Sequence, residues 1–141
     1  MKFHFTFEEM FFSARAEQDG IVNVPAAGDT EVLNNLLNTM RELEKARNMF
    51  GQPIIVTSGY RTPVVNALVG GADGSQHLRG QAADITASRK GDNEELARII
   101  RTFCDYDQLI TYHNAKGQVQ WVHVSFRREG VGRKEWLRKK A

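Results

Sequence analysis

Apolar residues between positions 30 and 50 recur at helical spacing. Val32, Leu33, Leu36, Leu37, Met40, Leu43 and Ala46 follow the i, i+3, i+4, i+7 rule, which predicts one long amphipathic helix. Asp29 or Thr30 supplies its N-cap, and Gly51 stops it near Phe50. Upstream, Thr6-Phe7-Glu8-Glu9 is a capping-box pattern that predicts a short helix to about Ala16, ended by Asp19-Gly20. The β-branched run Ile54-Ile55-Val56-Thr57 predicts a buried strand leading into a turn at Ser58-Gly59-Tyr60-Arg61. Pro63 opens a short helix through Leu68, and Gly70, Gly71, Asp73 and Gly74 form a loop. Ala82–Thr86 is expected to be a strand entered from Gly80. Asp92-Asn93-Glu94-Glu95 repeats the capping-box pattern and starts a helix to about Phe103. Asp107–Tyr112 and Val119–Phe126 predict two strands joined by a turn over 113–118. After Gly132 a final basic helix is expected, with Trp136 and Leu137 turned inward.

That order of elements reads as α+β. It implies a single domain over residues 1–141, with a small, mostly antiparallel sheet flanked by helices, because the hairpin forces antiparallel pairing. A hydrophobic fraction of 41% and mixed charge fit a globular chain with a core of its own. The single cysteine, Cys104, cannot form an internal disulfide, and its apolar neighbours suggest a buried structural thiol. No run reaches the roughly 18 apolar residues of a membrane span. Glu8 and Glu9 interrupt the N-terminal apolar run, so a signal peptide is not expected. The expectation is a chain made in the cytoplasm, reaching any target outside by release. The net charge of +2 gathers in the tail and reads as a solvated face rather than a nucleic-acid surface. The chain is expected to be a monomer.

Two stretches carry chemistry. In Ser75-Gln76-His77-Leu78-Arg79-Gly80-Gln81-Ala82-Ala83-Asp84, Gly80 allows a sharp turn that brings a loop histidine towards a strand aspartate. A carboxylate between Ala83 and Ile85 is costly unless paired, so Asp84 needs a metal or an arginine. In Gln120-Trp121-Val122-His123-Val124-Ser125-Phe126, alternation puts Trp121, His123 and Ser125 on one face and Val122, Val124 and Phe126 on the core face. His77, Asp84 and His123 would make three protein ligands with a position left open, the pattern of catalytic rather than structural zinc. His4 and His113 are assigned no metal.

Ser75-x-His77-x-x-Gly80-x-Ala82-x-Asp84 resembles the signature of the zinc D-alanyl-D-alanine carboxypeptidases. Their relatives include the vancomycin-resistance dipeptidases, phage L-alanyl-D-glutamate endolysins and the Hedgehog signalling domain. Thr57–Pro63, Asn66-x-x-Val69-Gly70-Gly71, Asp107–Ile110 and Trp121–Ser125 resemble further segments of that family. The resemblance implies Zn2+ bound by His77, Asp84 and His123. It implies Arg61 in the cleft, on a substrate carboxylate or an oxyanion, although a salt bridge to Asp84 or Asp107 is the plainer reading. It also implies hydrolysis of peptide bonds involving D-amino acids in peptidoglycan stem peptides.

The likeness breaks at the general base. In the related enzymes a His, Glu or Asp sits two or three residues before the last zinc histidine, where this chain has Trp121 and Gln120. Pairing Tyr112 with Gln120 would set Asp107 opposite Ser125, which makes Asp107 a candidate base or an acceptor behind a ligand imidazole. The alternatives to a peptidase are a catalytically weak or inactive zinc-containing wall-binding module, and an assembly protein of a phage particle.

Overall fold

The computed structural model describes residues 3–141. Helices α1 (Phe7–Phe11) and α2 (Ala14–Gln18) precede α3 (Thr30–Phe50), β1 (Ile54–Ser58), α4 (Pro63–Leu68), β2 (Ala82–Ala87), α5 (Asn93–Phe103), β3 (Gln108–His113), β4 (Val119–Ser125) and β5 (Glu135–Lys140). The five strands form one sheet in the order β1-β2-β4-β3-β5. Every pairing is antiparallel except β3 with β5, so the architecture is the expected α+β with a mostly antiparallel sheet.

Most of the α3 stripe faces the core, as its period requires, but Leu37 at its margin is exposed. Leu36, Leu43 and Ala46 are fully buried, and α5 adds Leu96 and Ile100. They pack in one cluster with Ile85, Leu109, Val122, Val124 and Phe126 from the sheet. Each large aliphatic side chain buried there contributes roughly 1.5–3 kcal/mol. The alternation along β4 holds: Val122 and Val124 enter the core, while Trp121 and His123 face the other way, into a cleft. Cys104 is buried, and burial pushes its thiol up to about 11, as for an unreactive structural cysteine.

Four expectations change. The first helix breaks at Phe12, where Ser13 caps a second short helix by accepting from the Ala16 N–H at 3.2 Å. At α5, Asp92 makes no capping bond. The fully buried Asn93 side chain instead accepts from Ala87 N–H at 2.7 Å and donates to the Gln120 carbonyl at 3.1 Å, tying β2 and β4 to the helix start.

The hairpin register also differs. His113 pairs with Val119, the turn-side register expected from the sequence, but Tyr112 then pairs with Trp121 and Gln108 with Ser125. Gln120 is the extra residue of a β-bulge, and it moves every later pair by one. Gln108, not Asp107, therefore lies opposite Ser125.

The basic tail is a strand, not a helix. β5 runs parallel to β3, with Gln108 opposite Glu135 and His113 opposite Lys140, and satisfies an edge of β3 that would otherwise lack partners. Trp136 is 40% exposed rather than turned inward, and the Arg101 guanidinium lies 4.0 Å from its ring centroid. Charged residues on the last strand suit an unprotected sheet edge.

Candidate metal centre and cleft

Each signature residue has a local physical reason. Ser75 caps a 3-10 turn over Gln76–Arg79 by accepting from the His77 N–H at 3.2 Å. Gly80 ends that turn at φ +76, where an added Cβ would stand 2.9 Å from Leu36 Cγ and Val32 O. Helix α3 grips this corner: Asn35 donates to Arg79 O at 2.9 Å and Thr39 to Gly80 O at 2.8 Å. The chain then enters β2, which carries Asp84 opposite His123 of the neighbouring β4.

The turn after β1 closes the site from the other side. Gly59 lies against α1 so closely that a Cβ would meet Met10 O at 2.5 Å. Its carbonyl accepts a 2.6 Å hydrogen bond from His77 Nδ1. A carbonyl can only accept, so Nδ1 carries the proton and Nε2 presents a lone pair. That Nε2 is buried without a hydrogen-bond partner, 3.4 Å from Asp84 Oδ1. His123 Nδ1 lies 3.0 Å from the same oxygen.

A lone pair and a carboxylate oxygen facing each other at that distance repel unless a cation or a proton lies between them. The three ligand atoms sit within 4.8 Å of one another. Ligands around a tetrahedral ion at about 2.1 Å stand roughly 3.4 Å apart, so the donor set fits such an ion. His77, Asp84 and His123 are thus brought together as the sequence predicts. His113 is elsewhere, bonded to Gly117 O and Thr111 Oγ1.

Arg61 meets both expectations: it lines the cleft and is paired with Asp84. It bonds Asp84 Oδ2 at 3.2 Å, Asn66 Oδ1 at 3.2 Å and Ser58 Oγ at 3.1 Å. The Asp84 carboxylate is therefore shared, with Oδ1 towards the histidines and Oδ2 towards the arginine. Burial pushes this carboxyl up, but His123 and His77 beside it outweigh burial and hold it well below the usual carboxylate range. Gly71 leaves the space Asn66 needs, since a Cβ there would fall 2.0 Å from Asn66 Oδ1.

Asp107 does not reach behind a ligand imidazole. Its side chain is 2% exposed and accepts from Arg133 Nε and Nη2 at 3.0 Å each, from the Arg133 N–H at 3.1 Å and from Gln76 Nε2 at 2.8 Å. Arg127 Nε adds an ion pair at 2.7 Å. Sequence spacing could not anticipate this cluster, because Arg127 lies in the segment leading into the expected basic helix and Arg133 at its start. Burial raises the Asp107 carboxyl, but its bonds to Arg133 and Gln76 bring it down to about 2. A carboxyl that titrates lower folded than unfolded contributes fully above about pH 4 and loses that contribution as pH falls towards 2. Urea unfolding should therefore show about 2 kcal/mol more acid destabilisation between about pH 5 and pH 2 in the parent chain than in Asp107→Asn. Equal slopes would refute the assignment.

The triad and the Asp107 cluster line one cleft of about 1090 Å³. On its wall Trp121 stacks on Tyr112, with ring centroids 4.5 Å apart and planes at 14°. Gln120 lies in the bulge, 3.5 Å from Lys90 Nζ, and does not line the cleft.

The sequence profile of the Peptidase M15 family matches residues 3–125. The chain belongs to the M15 peptidases. Over 58 residues it is 43% identical to the zinc D-Ala-D-Ala carboxypeptidase of Streptomyces albus G. That match covers 40% of this chain and 23% of the relative. The M15 profile spans the triad, Arg61 and Asp107, and stops before Arg127, Arg133 and β5. Among the described residues no helix is long and apolar enough to cross a membrane.

Proposed function

We propose that this chain is a zinc peptidase acting on peptidoglycan stem peptides, at peptide bonds next to D-amino acids. The observation that carries the reading is the convergence of His77 Nε2, Asp84 Oδ1 and His123 Nδ1 on one side of the cleft. Membership of the M15 family and the carboxypeptidase relative support it. His77, Asp84 and His123 would hold the zinc, which would supply Lewis-acid polarisation of a carbonyl and a water with its pKa lowered to roughly 7.

The chain's own groups set the rest. The Gly59 carbonyl fixes the tautomer and ring angle of His77. Arg61 orients the Asp84 carboxylate and adds positive potential where negative charge develops. Burial and the Asp84 charge push the Tyr112 phenol up, and its ring lines the cleft wall. Asp107 is locked by Arg133 and Gln76 and makes a poor proton acceptor. Glu129, whose side chain is 86% exposed at the cleft rim, is the freer carboxylate.

Zinc-loaded protein should release D-amino acids or shorter peptides from purified muropeptides, and a chelator should stop the release. Muropeptides left intact after prolonged incubation would favour a zinc-containing wall-binding module. The stacked Trp121–Tyr112 pair, at the place where related enzymes hold a proton acceptor, supports that second reading.

A further inference from the structure

We propose that Arg127 and Arg133, held on Asp107, form a carboxylate-binding subsite that selects stem peptides bearing a free carboxylate close to the scissile bond. This rests on the peptidase reading and names what the cleft recognises.

The geometry is that of a built site. Asp107 is buried and serves both guanidinium groups at once. Glu135 adds a further negative charge near Arg133, but among the described residues none is paired with Arg127 beyond the shared Asp107. The arginines are 42% and 47% exposed and line the same cleft as the triad. Arg127 Nη1 and Nη2 and Arg133 Nη1 make no hydrogen bond among the described residues. An isolated surface ion pair needs only one arginine for each carboxylate. Here a second guanidinium is paired to the same carboxylate and keeps unused donors, the arrangement suited to a planar carboxylate from outside.

The placement matches a substrate that also meets the triad. Asp107 N–H donates to Ser125 O at 2.8 Å, and Ser125 is two residues beyond His123 on β4, roughly 7 Å along the strand. Gln76, bonded to Asp107, directly precedes His77. A carboxylate on the arginines would therefore belong to a residue one or two positions from the scissile bond. Both arginines lie beyond residue 125, where the M15 profile ends, so family membership does not assign them this role.

Two sources fit: the terminal carboxylate of a D-Ala-D-Ala peptide, or the free carboxylate of a D-glutamyl residue inside the stem peptide. Binding to the metal-free protein, measured by calorimetry, separates them. The probes are a peptide containing both groups, its C-terminal amide and its D-glutamyl amide. One amidation should weaken binding about 10- to 100-fold, and the one that does identifies the carboxylate. In Arg127→Gln, and in Arg133→Gln where it folds, that discrimination should fall to within about threefold, while Arg127→Lys should keep part of it. The kcat/KM values of zinc-loaded protein should follow the same ratios, carried by KM. Equal binding of all three probes by the parent protein would overturn the subsite, as would discrimination that survives Arg127→Gln undiminished. Binding that discriminates without any turnover would instead sink the peptidase reading and leave the subsite standing.

Discussion

Asp84→Asn should weaken zinc binding by more than about 10³-fold and remove peptidase activity with it, since loss of an outer partner alone typically costs 10- to 100-fold. The substitution preserves shape, so the expected loss is chemical. Oδ1 faces two imidazoles and Oδ2 faces the Arg61 guanidinium, and a carboxylate can accept on both sides. An amide accepts with one atom and donates with the other. If its oxygen faces the histidines, its NH2 meets the donor Arg61. If it flips, the NH2 occupies the ligand position. Either arrangement also leaves Arg61 without its counter-charge. A competing chelator reads the affinity directly. Thermal unfolding gives a second measure, because zinc at about 1,000 times its Kd stabilises the parent by about 4 kcal/mol and should not stabilise the variant. His77→Ala and His123→Ala should behave alike, and His113→Ala should not. A variant at position 84 that keeps stoichiometric zinc would refute the site.

The triad was readable in the sequence because its constraints are local. Gly80 and Asp84 sit within one turn and one strand. His123 stands on the polar side of a strand whose other side is Val122, Val124 and Phe126. The helix α3 is readable for the same reason, as its stripe from Val32 to Ala46 repeats over about four turns.

What could not be read depends on distant partners. β5 is a strand only because β3 offers an open edge, and its sequence Glu135-Trp136-Leu137-Arg138-Lys139-Lys140 has no clean alternation. The Gln120 bulge is invisible because the turn itself sets the expected register. Its extra residue is accommodated by Asn93, whose amide donates to the Gln120 carbonyl across 27 positions of sequence. The unbulged register would set Asp107 opposite Ser125, near the metal. The structure instead gives it to two arginines whose segment carries no periodic signal.

The bulge also decides where a missing base can be restored. Of the two positions that hold a proton acceptor in related enzymes, only Trp121 lines the cleft; Gln120 turns towards Lys90 and Asn93. Trp121→Glu should raise kcat on muropeptides by about 10²-fold, at the low end of what a positioned general base contributes. Gln120→Glu should leave it unchanged. The gain comes at the cost of the stack on Tyr112, about 1 kcal/mol, seen as a lower melting temperature. The new carboxylate should also add an acidic limb to the pH–rate profile, because it must be ionised to accept a proton. A rise in Gln120→Glu alone would place the reacting water on the opposite side of β4 and contradict the cleft. A fall in Trp121→Glu would mean that the indole holds substrate more effectively than a base could speed its hydrolysis. Trp121 would then be a binding wall, and proton transfer would have to use a carboxylate at the rim, where Glu129 is exposed.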